Sequence, residues 1–339
     1  MTLPELYRQM LRARTFELAI AELWQRGRIS GELHLGTGEE AIVAGVVTHL
    51  RDDDSVSLTH RCTPALVVRG VPLVPILREL LGEPDGLCGG IAGHMHLASR
   101  EYRVASSGIV GASLPIAVGF ALAAQHRGSD AIAVAFTGEG ALNQGMALES
   151  LNLAAAWSLP LVVVCIDNGW AITTRSATVT AGTLPARLRA FGWTVEELDG
   201  TDVERVHHAA GGLIDRARAG RGPVALYATC PRLDGHFLGD PLVAQAHALT
   251  GADAKHTLAR ILKSALEAGG GGPIARASSM AKLMTTLAKA RASPVRGQAA
   301  DPIAIARRAV RDDERRGIEA AVEREIAAAV ESATEGHHG

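Results

Sequence analysis

The chain has 339 residues, enough for one large or two modest domains, and 47% of them are hydrophobic, which is typical of a globular protein. Its 34 Lys and Arg residues nearly balance its 36 Asp and Glu residues, and the net charge of −2 argues against binding to nucleic acid or to anionic lipid. The four cysteines form no C-x-x-C pair, the N-terminus lacks a signal-peptide pattern, and no apolar run is long enough for a membrane span. These features predict a cytoplasmic protein without a zinc ribbon or a disulfide framework.

The first part of the chain is predicted to be mostly helical. Apolar residues at helical spacing indicate an amphipathic helix over residues 3–27, and a glycine-rich loop then leads to a second helix from about Glu39. A short strand stops near Thr59, and the stretch TPALVVRGVPLVPILRELLG predicts two helices joined by a turn. Residues 85–111 are rich in glycine and lack periodicity, and such a long loop is more often functional than accidental.

Buried strands alternate with helices in the centre of the chain. The strand AIAVAF is followed by a crossover helix and the strand LVVVCID, and two further helix-strand pairs end at PVALYATC. Continuous apolar strands of this kind predict an α/β fold with three layers, in which helices cover both faces of a parallel sheet. The predicted organisation is an α/β domain over residues 1–244, a helical insertion over 245–300, and a C-terminal helical segment over 301–339 that packs on the main domain.

Two polar residues follow the two central strands and are candidates for a cation site. Glu139 follows AIAVAF and Asn168 follows LVVVCID, so both lie at carboxyl ends of parallel strands, where α/β proteins bind ligands. A carboxylate and an amide oxygen suit Mg²⁺, and the neighbouring Gly138 and Gly140 would let the backbone approach a diphosphate closely. An ordinary strand-to-helix turn explains the same residues about equally well on spacing alone.

An ordered set of motifs carries a family resemblance. The set includes HLGTGEEA, THRCTPALVVRG, AGHMHL, GIVGASLPIAVGFALA, TGEGALNQG, ESLNLAAAWSLP, DNGWAITT, LDGTDV and RLDGHFLGDP. In this order the motifs resemble the alpha subunit of the thiamine-diphosphate-dependent decarboxylating component of 2-oxo acid dehydrogenases, a family that includes the pyruvate, branched-chain 2-oxo acid and acetoin dehydrogenases. The resemblance spans nearly the whole chain except roughly residues 245–300 and implies the thiamine diphosphate-binding fold.

The resemblance also implies a role for each matching residue. Glu139, Asn168 and the main-chain carbonyl of Trp170 would hold Mg²⁺, and His34 and His236 would be the catalytic residues that line the substrate channel and approach the thiazolium ring. The residues expected to bind thiamine diphosphate itself are His60, Arg61, Gly108, Val110, Gly138, Gly140, Ala141 and Arg232. The pair His94 and His96 could pass for metal ligands, but a role in structuring the loop is favoured.

The resemblance further implies partners. In the family it resembles, a Glu from a separate beta subunit activates the cofactor. No second sheet pattern follows PVALYATC, so a beta partner is expected here too, in an alpha-2-beta-2 heterotetramer. The substrate would be a small 2-oxo acid, and a lipoyl acyltransferase is a further expected partner.

Several positions depart from the family pattern. The family usually has Asp where this chain has Glu139, Asn at Asp167, and His at Thr63, and the last difference puts standard lipoyl transfer in doubt. Two alternatives therefore stay open beside an active decarboxylase: a catalytically degenerate subunit that supports a partner, and a carboligase that passes the carbanion to an aldehyde or ketone. A nucleotide-binding Rossmann protein is disfavoured because no G-x-G-x-x-G motif follows the first strand.

Overall fold

The computed structural model describes residues 1–239 and 301–335. The helices are α1 (Leu3–Gln25), α2 (Glu40–Val47), α3 (Thr63–Arg69), α4 (Leu73–Leu80), α5 (Ser113–His126), α6 (Gly145–Ala156), α7 (Leu184–Ala190), α8 (Val203–Arg218), α9 (Pro302–Ala309) and α10 (Asp312–Thr334). The strands are β1 (Ser55–Leu58), β2 (Ala98–Ser99), β3 (Val104–Ser106), β4 (Ala133–Gly138), β5 (Leu161–Asp167), β6 (Trp170–Ala171), β7 (Thr174–Arg175), β8 (Thr194–Asp199) and β9 (Val224–Thr229). The predicted insertion over 245–300 lies outside the described residues, and the proposed division into domains stays a prediction.

Seven strands form one sheet in the order β2-β3-β1-β4-β5-β9-β8, and all pairs are parallel except β2 with β3. Successive residues of a strand point to opposite faces, so Val162 and Val164 pack into one hydrophobic cluster and Val163 and Cys165 into a second. Both faces are therefore buried, as continuous apolar strands require. The predicted α/β fold with a parallel sheet and helices on both faces is confirmed. No helix in the described part of the chain combines the length and hydrophobicity needed to cross a membrane.

The C-terminal helices return to the first helix of the chain. Val322 and Ile326 of α10 belong to the main hydrophobic cluster. The hydroxyl of Tyr7 donates a hydrogen bond to Glu319 (2.9 Å), and Arg12 forms an ion pair with Glu325 (2.7 Å). These contacts hold the two ends of the described chain together, so α1 is packed between the body of the sheet domain and α10.

A carboxyl group lies at the centre of this packing. Glu17 of α1 is fully buried, and its Oε1 accepts hydrogen bonds from the backbone N–H of Gly36 (2.9 Å) and from the hydroxyl of Thr63 (2.6 Å). Its Oε2 has no hydrogen-bond partner within the described ranges. Burial raises the pKa of Glu17 to about 8, and the neighbouring Glu40 and Glu39 act in the same direction. Glu17 therefore links α1 to the loop before α2 and to the start of α3 while it is largely protonated.

A second buried carboxylate orders the glycine-rich loop that the sequence predicted to be long and aperiodic. Glu79 of α4 is 1% exposed, and it accepts hydrogen bonds from the backbone N–H groups of Cys88 (2.6 Å), Gly90 (2.8 Å) and Ala92 (2.7 Å). An added Cβ at Gly86 would lie 2.6 Å from the backbone of Glu79. Glycine is required there because the loop wraps directly around the carboxylate. The loop is thus fixed by a charge-assisted network and includes the short strands β2 and β3.

We expect Glu17→Gln to remove a pH-dependent loss of stability. The folded pKa of about 8 lies above the ordinary value of 4.5, so the folded state holds a proton that the unfolded state releases. The free energy of unfolding therefore falls as pH rises between these two values. A glutamine accepts the same two hydrogen bonds and carries no charge. Thermal unfolding should show the variant more stable than the wild type by about 5 °C at pH 8, and the difference should vanish near pH 5. The exposed Glu22→Gln on the same helix is the control, and parallel pH curves for Glu17→Gln and the wild type would contradict the assignment.

We expect Glu79→Gln to loosen the loop over residues 82–93. The amide nitrogen of glutamine would face backbone N–H groups that now donate to an oxygen, at a cost of about 1–3 kcal/mol for each group left without an acceptor. Amide hydrogen exchange should accelerate in this loop and much less in β4 and β5. Glu83→Gln, on the same loop, serves as the comparison. Unchanged exchange in the Glu79 variant would show that the carboxylate does not hold the loop.

Candidate functional site

The residues predicted to form the site lie where strands end at one edge of the sheet. His60 and Arg61 follow β1, Gly108 follows β3, Glu139 follows β4, Asn168 follows β5, and Arg232 follows β9. The carboxyl ends of parallel strands share an edge, so residues separated by more than a hundred positions in sequence come together there. Sheet order places β1, β4, β5 and β9 side by side, and the site lies above these four strands.

Glu139 and Asn168 meet in this region, as the sequence predicted. Glu139 begins a 3-10 helix directly after β4 and is 2% exposed. Its carboxylate accepts a hydrogen bond from the hydroxyl of Ser176 and is stabilised by the backbone N–H of Asn168. Burial raises the pKa of Glu139, and the nearby Asp167 adds to the effect. The buried carboxylate thus lies next to the backbone of Asn168 at the strand ends.

Ser176 is a site residue that the sequence analysis missed. It lies in a 3-10 helix over Ser176–Thr178, just after the short hairpin of β6 and β7. Its position 37 residues after Glu139 has no periodic or motif signal, so only the folded hairpin reveals the contact. Glu139 is one methylene longer than the Asp that the resemblance predicts, and Ser176 holds the end of this longer side chain.

A tight turn positions Asn168. Asp167 accepts a hydrogen bond from the backbone N–H of Gly169 (2.8 Å) and another from the hydroxyl of Tyr227. Gly169 has a φ of 79°, a left-handed conformation that favours glycine. The side-chain oxygen of Asn168 accepts from the N–H of Trp170 (3.1 Å). Asp167 is therefore engaged in shaping the turn.

Two arginines line a small cavity beside Asn168. The cavity has room for about one water molecule, and Arg61, Arg232, Asn168 and Glu39 line it. Arg61 donates to the backbone carbonyl of His236 (2.9 Å) and lies 3.9 Å from the carboxylate of Glu39. Arg232 donates to the backbone carbonyl of Ile172 (2.7 Å). The lining also includes Asp234, so the cavity carries both signs of charge, and the two guanidinium groups are its candidate donors to an anionic ligand.

Glu39 also belongs to the site, although the sequence analysis used it only to mark the start of a helix. It is 7% exposed, and burial raises its pKa to about 7 against the lowering effect of Arg61. The motif HLGTGEEA was the available signal. Glu39 is thus a buried acid that can hold or release a proton next to the two arginines.

The predicted glycines differ in what they do. An added Cβ at Gly138 would meet no atom within 4 Å, so the backbone here borders open space. At Gly140 an added Cβ would lie 2.7 Å from the Cβ of Ala171, so this glycine is required for packing against β6. At Gly108 it would lie 3.0 Å from the sulfur of Met95. Only Gly138 is therefore free of close neighbours on the side where a ligand could approach.

Ala141 and Val110 are placed near the same edge without a described link to the cation pair. Ala141 is half-buried in the 3-10 helix after Glu139, and Val110 is 53% exposed in the loop before α5. Neither residue lines the cavity formed by Arg61, Arg232 and Asn168. Their predicted contacts with a cofactor stay predictions.

Four histidines cluster on the other side of Arg61. The ring of His34 lies 4.7 Å from the ring of His60, 4.6 Å from that of His236 and 5.1 Å from that of His94, measured between centroids. The Nε2 atom of His60 is buried without a hydrogen-bond partner among the described residues. The sequence predicted the first three of these residues, and the structure adds His94, whereas its neighbour His96 is exposed.

Three of these histidines, His34, His60 and His94, are neutral at physiological pH. Burial lowers the pKa of His60 to about 2, of His34 to about 3 and of His94 to about 4, and the charge of Arg61 lowers each of them further. Ring nitrogens of His34, His60 and His236 lie within 4.8 Å of one another. The same positive charge of Arg61 disfavours a cation among them, so the cluster suits proton exchange with an anionic or carbonyl-bearing ligand.

Comparison with known proteins agrees with this arrangement. Residues 8–272 match the family model described as dehydrogenase E1 component. Over 241 residues the chain is 42% identical to the alpha subunit of acetoin:2,6-dichlorophenolindophenol oxidoreductase of Cupriavidus necator, covering 70% of this chain and 72% of the relative. It is 38% identical to the protein of the same name in Bacillus subtilis, covering 69% and 71% of the two chains.

A second group of relatives and a solved structure extend the comparison. The chain is 36% identical to the pyruvate dehydrogenase E1 component subunit alpha of Rhizobium meliloti, covering 69% of this chain and 68% of the relative. Transketolase from Campylobacter jejuni superposes with a TM-score of 0.51 at 20% identity, covering 66% of this chain and 37% of that one, and it shares the fold. The chain therefore belongs to the dehydrogenase E1 component family, as an enzyme subunit of the alpha type.

Proposed function

We propose that the chain binds thiamine diphosphate with Mg²⁺ and, together with a beta-type subunit, decarboxylates a small 2-oxo acid. The observation that carries this proposal is the meeting of Glu139 and Asn168 beside Arg61 and Arg232 at the carboxyl edge of the sheet. Hard oxygen donors next to two guanidinium groups suit a metal-bound diphosphate. Relatives named as alpha subunits of acetoin and pyruvate dehydrogenating enzymes support the reaction class.

The residues present fit the two proposed ligands. Glu139, the side-chain oxygen of Asn168 and the main-chain carbonyl of Trp170 would hold Mg²⁺, which prefers few protein oxygens and completes its shell with phosphate and water. The open space beside Gly138 supports a close approach of the diphosphate. The orphaned Nε2 of His60 gives a further polar group that a bound cofactor would satisfy.

Thiamine diphosphate supplies the carbanion chemistry when it is bound. The chain's own residues orient the substrate, exclude water and move protons. Arg61 and Arg232 would hold negative charge at the strand ends, while His34 presents a neutral imidazole next to the ring of His236. Since burial lowers the pKa of His34 to about 3, its ring is neutral at pH 7 and offers a nitrogen lone pair, rather than a positive charge, to a hydroxyl group of the substrate.

A beta-type partner is part of the proposal. Large apolar side chains are exposed in the loops at the site edge, with Ile109 62% exposed, Ile172 56% and Val179 59%. Such a concentration of exposed apolar side chains supports coverage by another chain. We propose an alpha-2-beta-2 assembly in the cytoplasm, in which the partner supplies the Glu that activates the cofactor.

The acyl acceptor is the point on which two candidate functions differ. Thr63 stands where the family commonly has a histidine, and its hydroxyl donates into the core to Glu17. It therefore offers no group for transfer to the lipoyl arm of an acyltransferase. This observation favours transfer to an aldehyde, a ketone or an electron acceptor, and it supports acetoin as a second candidate substrate. The ordered contacts of Glu139 and Asn168 argue against a purely scaffolding subunit.

The direct test is binding and turnover by the chain co-expressed with a candidate beta-type subunit. Calorimetry should show saturable binding of thiamine diphosphate that requires Mg²⁺. Pyruvate, branched-chain 2-oxo acids and acetoin should then be compared as substrates by reduction of 2,6-dichlorophenolindophenol. A folded complex that binds no thiamine diphosphate would overturn the proposal in favour of the scaffold, and turnover of acetoin alone would select the second candidate.

The metal site has its own prediction. Asn168→Ala should abolish Mg²⁺-dependent binding of thiamine diphosphate, because the ion would lose one of few protein ligands. Glu139→Asp should weaken binding by about tenfold rather than improve it, because the shorter side chain loses the hydrogen bond from Ser176. Ser176→Ala should have an effect of similar size.

Calorimetry of the three variants at fixed Mg²⁺ concentration is the measurement, and the exposed Thr178→Ala in the same 3-10 helix is the control. Tighter binding by Glu139→Asp would mean that the glutamate is a decayed ligand and that Ser176 does not adapt the site to it.

A further inference from the structure

Two polar contacts join His34 to His94, and both involve the Nε2 atom of His94. The backbone N–H of His34 donates to Nε2 of His94 over 3.2 Å, and Nδ1 of His34 lies 2.9 Å from the same Nε2. The two rings are stacked, with their planes 19° apart. His34 is 5% exposed, so water does not compete freely for these groups.

This arrangement fixes where the protons are. A backbone N–H can only donate, so Nε2 of His94 must be an acceptor and carries no proton. Nδ1 of His34 faces that unprotonated nitrogen, so it must be the donor. In a neutral imidazole only one nitrogen carries a proton, which leaves Nε2 of His34 unprotonated.

The position of His94 is itself secured. The thiol of Cys62 donates to the backbone carbonyl of His94 (3.2 Å). Two residues earlier, the N–H of Ala92 is held by the buried carboxylate of Glu79 (2.7 Å). The ring of His94 is therefore presented by a fixed segment of the glycine-rich loop rather than by a mobile one.

We propose that His94 is a positioning residue that holds His34 in the Nδ1–H tautomer, so that the unprotonated Nε2 of His34 serves as the proton acceptor for the substrate. The catalytic part of this inference rests on the proposed function, whereas the tautomer does not. In the proton transfer, a bond forms between Nε2 and the hydroxyl proton of acetoin, the candidate substrate that carries a hydroxyl group, as a 2-oxo acid does not. The O–H bond breaks with its electron pair left on the substrate oxygen, and His34 becomes an imidazolium whose Nδ1–H still donates to His94.

With Nδ1 of His34 bonded to His94, the rest of the His34 ring contacts the other histidines of the cluster. The rings of His60 and His236 lie edge-on to His34, and the ring nitrogens of the three residues lie within 4.8 Å of one another. Without His94, Nδ1 of His34 would lose its acceptor, and the proton could move to Nε2. That tautomer would place an N–H where the reaction needs a lone pair, an error that is severe in other histidine-dependent enzymes.

Nuclear magnetic resonance on the full chain labelled with ¹⁵N-histidine tests the tautomer directly. Two-bond correlation spectra at neutral pH should show His34 with a protonated Nδ1 and an unprotonated Nε2. In His94→Ala the Nε2–H form, or a mixture of both, should appear. His94→Gln should restore the wild-type pattern, because its side-chain carbonyl can accept the proton of Nδ1. His96→Ala, two positions along the same loop, should leave the pattern unchanged.

Kinetics with the beta-type partner test the catalytic part. We expect His94→Ala to lower kcat by about tenfold to a hundredfold with an unchanged affinity for thiamine diphosphate, and His94→Gln to recover most of the loss. An Nε2–H tautomer in the wild type, or an unaltered tautomer in His94→Ala, would overturn the inference whatever the enzyme does. A shifted tautomer with full activity would show that Nε2 of His34 is not the proton acceptor. If the spectra show the expected tautomers but neither the wild type nor any variant binds thiamine diphosphate, the proposed function is wrong and the tautomer assignment stands.

Discussion

The parallel pairing of β1, β4, β5 and β9 is the constraint on which the rest of the structure depends. Each of these strands is buried on both faces, so its register and direction are fixed by packing, and its carboxyl end must open at the same edge as its neighbours' ends. The polar residues that follow these strands therefore all lie at that edge of the sheet. Arg61, Glu139, Asn168 and Arg232 come together because the sheet leaves them no other arrangement, and the site chemistry follows from that convergence.

Buried carboxyl groups then fix the loops that the sheet leaves open. Glu79 gathers three backbone N–H groups of the glycine-rich loop, and Glu17 connects α1 with Gly36 and Thr63. Each of these groups satisfies backbone or side-chain donors that would otherwise be buried without an acceptor. These buried carboxyl groups hold the loops at the site. Glu79 fixes Ala92, two residues before His94, and the ring of His94 contacts His34, the proposed proton acceptor.

The departures from the family pattern have local explanations in the fold. Glu139 is longer than the expected aspartate, and Ser176 meets the end of the longer side chain. Thr63 lies where the resemblance predicts a histidine, and its hydroxyl donates a hydrogen bond to Glu17. Both residues are thus held by a hydrogen bond to a side chain distant in sequence.

The sequence by itself determined the α/β class, the succession of elements and most of the residues at the site edge. Apolar periodicity indicates each strand and helix, and residue order shows which polar residues follow the strands. It placed Glu139 and Asn168 at adjacent strand ends, and it identified His34, His60 and His236. Tertiary structure alone decided the contacts between residues distant in sequence. The hydrogen bond from Ser176 to Glu139, the packing role of Gly140, the turn-forming role of Asp167 and the stacking of His94 on His34 all depend on which loops cross in space. No local pattern encodes such crossings, since they are set by the order of strands in the sheet and by the buried groups that hold each loop.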